Sequence, residues 1–371
     1  RNLTQIVRET IFMGQPLDEG RIFARKKQHL EEASFGMLSL YRPIWGMQAI
    51  GALRDKKDYL IRVAEAMRKG DHFGVPQGIG LFGPPGTGKT VSVEALSYTS
   101  GIPFARWRNI RNMFVGESER RVEYIFDLVI NYIPLILFVD EMDEEFLMRG
   151  MVYHGDAGTT ARIQKKFLEV FSDTNLRGKL LLIGASNKPE NVDQAFLREG
   201  RIDDVLPFVD LTEEERAEVG PAILHKLTCQ AEAEHQQFKH EIPPEFWPEF
   251  GQRTHGHFKI GEGWSFCTPE NCNIKDEETI RGFVGSEIEY IITAAYRRHA
   301  YPNRRALTTK DIEDERAKYI PKRDMVQFDR ATDAALLHCN SFEFIPERFH
   351  ERALRLRGAA RPGTVNYGQY L

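Results

Sequence analysis

The sequence predicts an α/β fold: a parallel sheet with helices on both faces, followed by a small helical domain. Three observations carry this. Short apolar runs alternate with helical patterns of about 10 to 18 residues between Gly51 and Asp210, the signature of strands joined by helical crossovers. The runs GIGLF (78–82) and LILFVD (135–140) are continuous rather than alternating, as strands buried on both faces are. After Asp210 helical patterns dominate to about residue 320.

The elements follow in order. Residues 1–35 are polar, and DEGRIFARKKQHLEEAS reads as a solvated helix. ALRDKKDYLIRVAEAMRKG repeats Leu53, Leu60, Val63 and Met67 at helical spacing and stops at Gly70. GIGLF is a strand, a glycine-rich loop follows, and TVSVEALSYTS is the next helix. IPFARW is a second strand, and SERRVEYIFDLVINY a helix with Val122, Ile125, Phe126, Val129 and Ile130 on one stripe. LILFVD, the helix TARIQKKFLEVFS (Ile163, Phe167, Val170 and Phe171 inward), KLLLIGAS and VLPFVD complete the sheet. LTEEERAEVGPAILHKL opens on Thr212 and a run of acids, a helix N-cap with charge opposing the helix dipole. From Pro321 there is further helix, then a Gly/Pro-rich arm, RGAARPGTVNYGQYL. The boundaries expected are 1–44 for a helical N-terminal segment and linker and 45–211 for a large α/β unit. A small helical unit spans 212–320, with an insertion near 251–276, and a C-terminal helical extension and arm spans 321–371.

Composition sets the limits. The 371 residues suffice for two or three domains, or one of about 200 residues with additions. Hydrophobic content of 42%, charged content of 28% and a net charge of −4 suit a soluble globular chain and argue against a general nucleic-acid binder. The longest weakly charged stretch, MLSLYRPIWGMQAIGAL, is broken by Arg42, Pro43 and two glycines and falls short of the roughly 20 apolar residues that span a bilayer. The opening RNLTQIVRET lacks the apolar segment of a signal peptide. It starts on Arg rather than Met, so an anchor or partner-binding domain upstream stays open. Four cysteines fit a reducing compartment, the cytoplasm or an organelle matrix or stroma. His255 and His257 in THGHF, with Cys267 and Cys272 in GWSFCTPENC, have the ligand types of a tetrahedral zinc site. The HxH and CxxxxC spacings match known zinc patterns loosely, and an inserted loop with ordinary cysteines is the plainer reading.

The densest chemistry lies in GPPGTGKT, residues 83–90, which fits G-x-x-x-x-G-K-[ST] and sits between a predicted strand and a predicted helix. Glycines let backbone N–H groups turn around a phosphate with no side chain in the way. Pro85, Gly86, Thr87, Gly88 and Val91 complete the cradle around Lys89, whose point charge suits β- and γ-phosphates, and Thr90, a Mg²⁺ ligand. In LILFVDEMD, Asp140 ends a buried strand and can reach the same Mg²⁺, while Glu141 can orient the water that attacks the γ-phosphate.

GPPGTGKT, VGESE, FVDEMD, GASNKPE and LREGRID occur in the order and spacing that resemble the AAA family of ATPases, over roughly residues 45–310. Within it, the N-terminal part looks most like the AAA proteins of chloroplast and cyanobacterial genomes. The resemblance implies a P-loop NTPase sheet with a helical lid, ATP and Mg²⁺ as ligands, and a homo-oligomeric, hexameric ring acting on a protein client. It assigns Asn187 as the residue that senses the attacking water or γ-phosphate, and Arg198 and Arg201 as arginine fingers reaching a neighbour's ATP. A guanidinium supplied in trans neutralises charge on the transferred phosphoryl group. Glu199 and Ser186 stand where the family usually has Pro and Thr. Adenine contacts map to Ile50 and Gly51, and to Gly285 and Ser286 where the family has Gly-Ala; no second sensor arginine is evident. Phe114, Val115 and Gly116 match an aromatic–aliphatic–glycine pore loop that grips extended polypeptide, the alternative being a Phe114 packed under the sheet edge. Arg106, Arg108 and Arg111 would then rim the pore, and RGMVYHGDAGTT would form a second loop facing it. Two other classes stay open: the ATPase part of a protease, though no HExxH motif occurs here, and a nucleotide-gated scaffold that barely hydrolyses.

Overall fold

The computed structural model describes residues 19–108, 119–146, 157–259, 263–266 and 280–359. Its centre is a six-stranded sheet in the order β1-β3-β4-β5-β2-β6, parallel throughout except for β1. The strands are β1 (Leu38–Tyr41), β2 (Gly78–Phe82), β3 (Phe104–Trp107), β4 (Leu135–Val139), β5 (Leu180–Ser186) and β6 (Asp204–Pro207). Every residue of β2, β4 and β5 is buried, which is why these runs show no polar alternation. Alternate residues still divide between the two faces. Ile136 and Phe138 join the core that contains helices α2 (Arg54–Lys69) and α3 (Lys89–Ser100). Leu135, Leu137 and Val139 face α4 (Glu119–Asn131) and α6 (Ala157–Val170), against the short α5 (Met142–Glu145). On that second face Trp107, Phe126, Phe146 and Phe167 meet at centroid distances of 4.6 to 5.6 Å.

Two features depart from the sequence reading. Residues 38–41, within the segment read as helix and linker, form the antiparallel edge strand β1 after helix α1 (Glu19–Ala33). Its side chains are buried against β3 and α1, so a run too short to show periodicity is fixed by tertiary packing instead. The region read as an inserted loop contains β7 (His255–Lys259) and β8 (Gly263–Phe266), which with β9 (Ile280–Gly282) just after it form a small antiparallel sheet in the order β8-β7-β9. Pairing between strands supplies there the backbone hydrogen bonds that a loop would leave to water.

The small unit begins at Thr212, whose hydroxyl accepts from Glu215 N at 3.1 Å while the Glu215 carboxylate accepts from Thr212 N at 2.8 Å, the reciprocal cap its sequence predicts. It caps α7 (Glu213–Ala233), followed by α8 (Phe246–Arg253), α9 (Gly285–Ala295) and α10 (Thr309–Lys318). Arg216, fully buried, ties these together. It donates to Thr254 Oγ1 at 2.9 Å, Gly251 O at 3.3 Å and Leu211 O at 2.6 Å, and burial lowers its pKa to about 10.

Helices α11 (Met325–His338) and α12 (His350–Ala359) return to the large sheet. The Asn340 side chain accepts from Val205 N at 3.1 Å and donates to Asp203 O, so one amide satisfies two backbone groups along the outer edge at β6. Arg348 donates to Asp210 O and to Glu215, across the joint between the two units, and Arg323 pairs with Glu287 at 2.9 Å. No described helix is long and apolar enough to cross a membrane.

Candidate functional site

The end of β2 and the start of α3 frame a cavity of about 300 Å³. Residues 83–88 turn there with Gly83, Gly86 and Gly88 at φ of +146°, +80° and +100°, a region that side-chain-bearing residues rarely enter. Space as well as φ demands glycine: a Cβ on Gly83 would lie 1.8 Å from Phe208 O, and one on Gly86 2.2 Å from Ser286 Oγ. The loop is therefore pressed between the large sheet and α9. Ser286 N donates to Gly86 O at 3.1 Å, joining the small unit directly to the loop.

Lys89 opens α3 with its ammonium turned back into the loop, donating to Gly83 O at 2.7 Å, Pro84 O at 2.8 Å and Asn187 Oδ1 at 2.8 Å. Burial pushes its pKa down to about 8, against the pull of Asp140 and Asp143. Thr87 is buried and donates to Pro84 O at 2.8 Å, bracing the turn. Asp140, at the end of β4, pairs with Arg106 of β3, and its other oxygen accepts from Glu141 N at 3.1 Å. Glu141 is exposed, at φ +51°, and its pKa is raised by partial burial and by Glu144, Asp140 and Asp143. Asn187 follows β5. Beside it Ser186 donates to Asp143 Oδ1 at 2.5 Å and accepts from Lys188 N at 2.9 Å, so a serine hydroxyl serves here in place of threonine's.

The other end of the cavity is apolar, walled by Ile50, Leu53, Leu211, Val219 and Ile223. Gly51 packs so close to α7 that a Cβ would sit 2.4 Å from Glu218 O and Val219 Cα. The next two residues, Ala52 and Leu53, hold φ of +63° and +56°, a strained conformation of the kind found at ligand sites.

The fold brings Ile50, Gly51, Pro85, Gly86, Thr87, Gly88, Lys89, Thr90, Val91, Asp140, Asn187, Gly285 and Ser286 to one cavity. Thr90 and Asp140, two oxygen donors on its wall, suit a Mg²⁺ ion, and the glycine cradle with Lys89 suits its phosphates. Arg198 and Arg201 lie on the β5–β6 connection, apart from the cavity lining. Arg198 is exposed. Arg201 is held within the chain, donating to Ser172 Oγ at 2.9 Å and to Ala195 O. Phe114, Val115, Gly116 and Arg111 lie outside the described residues, as do residues 149–156 of the second loop, whose last four residues, 157–160, open helix α6 instead. Arg106 is engaged by Asp140, which removes it from the basic rim expected of the three arginines. Of the zinc candidates, His255 Nδ1 lies 3.2 Å from Glu213 Oε1 and 3.4 Å from an Arg216 nitrogen. Cys267, Cys272 and the His257 side chain lie outside the described residues, and among those described no three His, Cys, Asp or Glu cluster for a metal. Sequence reasoning missed Asp143 and missed the pairing of Arg106, which it placed on the pore rim. Asp143 had a signal, the second acid of DEMD, whereas Arg106 had none because its partner lies 34 residues on.

Residues 79–209 match the model of the ATPase family associated with various cellular activities (AAA). The mouse nuclear valosin-containing protein-like is 37% identical over 170 residues, 44% of this chain and 19% of that protein. The ATP-dependent zinc metalloprotease FtsH of Cutibacterium acnes is 33% identical over 168 residues, 44% of this chain and 23% of its own length. The AAA domain-containing protein ycf46 of Guillardia theta is 28% identical over 202 residues, 52% of this chain and 38% of that one. The matched stretch thus spans less than two fifths of each of these three relatives. A crystal structure of the FIGL-1 AAA domain superposes with a TM-score of 0.54 over 82% of this chain and 93% of that one, at 21% identity, which shows the shared fold.

Proposed function

We propose, on the premise that residues 79–209 are an AAA domain, that this chain is a Mg²⁺- and ATP-dependent ATPase working as a ring, in the cytoplasm or an organelle interior. The observation that carries this is the convergence of Lys89, Asp140 and Asn187 on one cavity that Gly285 and Ser286 close from the small unit. The loop amides and Lys89 hold the phosphates. Thr90 and Asp140 hold the metal, which would supply charge neutralisation between phosphates. Glu141 takes up hydrogen bonding to the attacking water, and its raised pKa makes it a better proton acceptor. Asn187, bonded to Lys89, would exchange that partner for a phosphate oxygen or the water. Arg198, exposed and outside the cavity, is the better of the two fingers for a neighbouring chain, because Arg201 is anchored at home. Phe114, Val115 and Gly116 would line the ring's pore and pull on a protein client.

Specific ATPase activity measured across a wide range of protein concentration tests this. Activity per chain that rises with concentration supports a site completed between chains. Absence of turnover at every concentration favours the second reading, a nucleotide-gated scaffold. One observation favours that reading: Lys89 and Asp140 already have partners inside the chain, Asn187 and Arg106, which ligands must displace. A role as the ATPase part of a protease would place the peptidase elsewhere, since no HExxH occurs in the 371 residues.

A further inference from the structure

The cavity continues past Ser286 to an ion pair that the phosphate chemistry leaves unused. Lys226 of α7 and Glu289 of α9 both line it. The Lys226 ammonium lies 2.8 Å from one Glu289 oxygen and 3.0 Å from the other. The Lys226 side chain is only 11% exposed and sits 5.7 Å from the Trp45 ring, whereas Glu289 keeps 34% of its surface open. The lysine is thus the backing and the carboxylate is the open face.

Position along α9 says what that face meets. Glu289 follows Gly285 by four residues and Ser286 by three, so all three share one side of the helix. Ser286 touches the phosphate loop through Gly86, which puts Glu289 one helical turn farther from the phosphates. The same cavity is walled by the apolar residues Ile50, Leu53, Val219 and Ile223, a surface suited to a base. In a nucleotide the sugar lies between base and phosphates. An ionised carboxylate only accepts hydrogen bonds and has lone pairs to spare on both oxygens when each takes one from a lysine. Two neighbouring hydroxyls offer the matching donors, and such charge-assisted bonds are stronger than neutral ones.

We propose that Glu289, held in place by Lys226, binds the ribose hydroxyls of the nucleotide and makes the site selective for ribonucleotides. This rests on the nucleotide reading above. A site built to bond a hydroxyl discriminates against the analogue that lacks it.

Calorimetric titration of the full chain with ADP and with 2′,3′-dideoxy-ADP, both with Mg²⁺, tests this without hydrolysis. The unaltered chain should bind ADP about tenfold or more tightly than the dideoxy analogue. Glu289→Ala should bring the two within about twofold by weakening ADP alone. Glu289→Gln, which keeps the shape and one acceptor oxygen, should give an intermediate ratio and guards against a variant that fails to fold. Equal binding of both nucleotides by the unaltered chain overturns the inference while leaving the nucleotide site standing. So does a Glu289→Gln variant whose affinities for both fall together, the mark of a purely structural pair. If the unaltered chain binds neither nucleotide, the nucleotide reading itself fails and this inference with it.

Discussion

Replacing Arg106 with alanine should strengthen the Mg²⁺-dependent part of nucleotide binding, although it removes the cation paired with Asp140. Arg106 pairs with Asp140. A metal ion that takes Asp140 as a ligand must first displace the guanidinium. The two side chains are 40% and 26% exposed, so solvent screens the pair, and its net worth is about 0.5–1 kcal/mol rather than the several expected of a buried one. Relieving 1 kcal/mol of competition is about fivefold in affinity. Loss of the guanidinium also weakens metal-free binding of the anionic nucleotide, which moves the measured quantity the same way. ADP affinity is measured in excess Mg²⁺ and in EDTA, and the dissociation constant in EDTA divided by that in Mg²⁺ should rise about two- to fivefold in the variant. Arg106→Lys, which keeps the charge but not the planar fork, should fall between. A ratio that stays constant or shrinks would refute the competition and leave Arg106 as a structural support of the β4 end.

Three further outcomes follow from the same geometry. Glu141→Gln should bind ATP and turn it over at least about tenfold more slowly, since general-base assistance of this kind is worth about a hundredfold or more; normal turnover in a phosphate-release assay would remove Glu141 from the chemistry. Gly51→Ala forces a methyl to within 2.4 Å of the α7 backbone and should cost about 1–3 kcal/mol in urea denaturation along with nucleotide affinity, and a fully stable, binding-competent variant would count against the tight base wall. Lys89 in the free protein is pushed down to about 8, so below that pH it is charged and above it neutral. A bound phosphate favours the charged form, so ADP affinity should weaken as pH rises through 8 and binding there should take up a proton, which calorimetry in buffers of different ionisation enthalpy reads directly; affinity flat from pH 7 to about 9.5 would contradict it.

The phosphate end of the site was legible because its chemistry is local. Seven of its lining residues lie within 85–91, and Asp140 ends a strand whose apolar run marks its own boundary. The capped start of α7 at Thr212 was legible for the same reason, since cap and partner are three residues apart. What stayed hidden depends on residues far apart in the chain. Arg106 finds Asp140 34 residues on, and Lys226 finds Glu289 63 residues on, with no periodic signal at either position. Strand β1 is four residues long and has meaning only against β3, and the β7–β9 sheet likewise is defined by pairing rather than by pattern. Arg106 shows the cost of reading charge by proximity in sequence: three arginines within six residues looked like one surface, and one of them turns to a different partner altogether.

The return of the C-terminal segment to the sheet decides where this protein can be cut. Asn340 stands in for a missing neighbour strand on β6, taking up the Val205 amide and the Asp203 carbonyl. Trimming the chain to the catalytic units, at about residue 322, would uncover that edge together with the surface of β2 and β6 against which α11 packs. An open edge beside a parallel sheet recruits strands from other molecules. Such a trimmed protein would gather into aggregates through β6, and its loss of activity would say nothing about rings, fingers or pores.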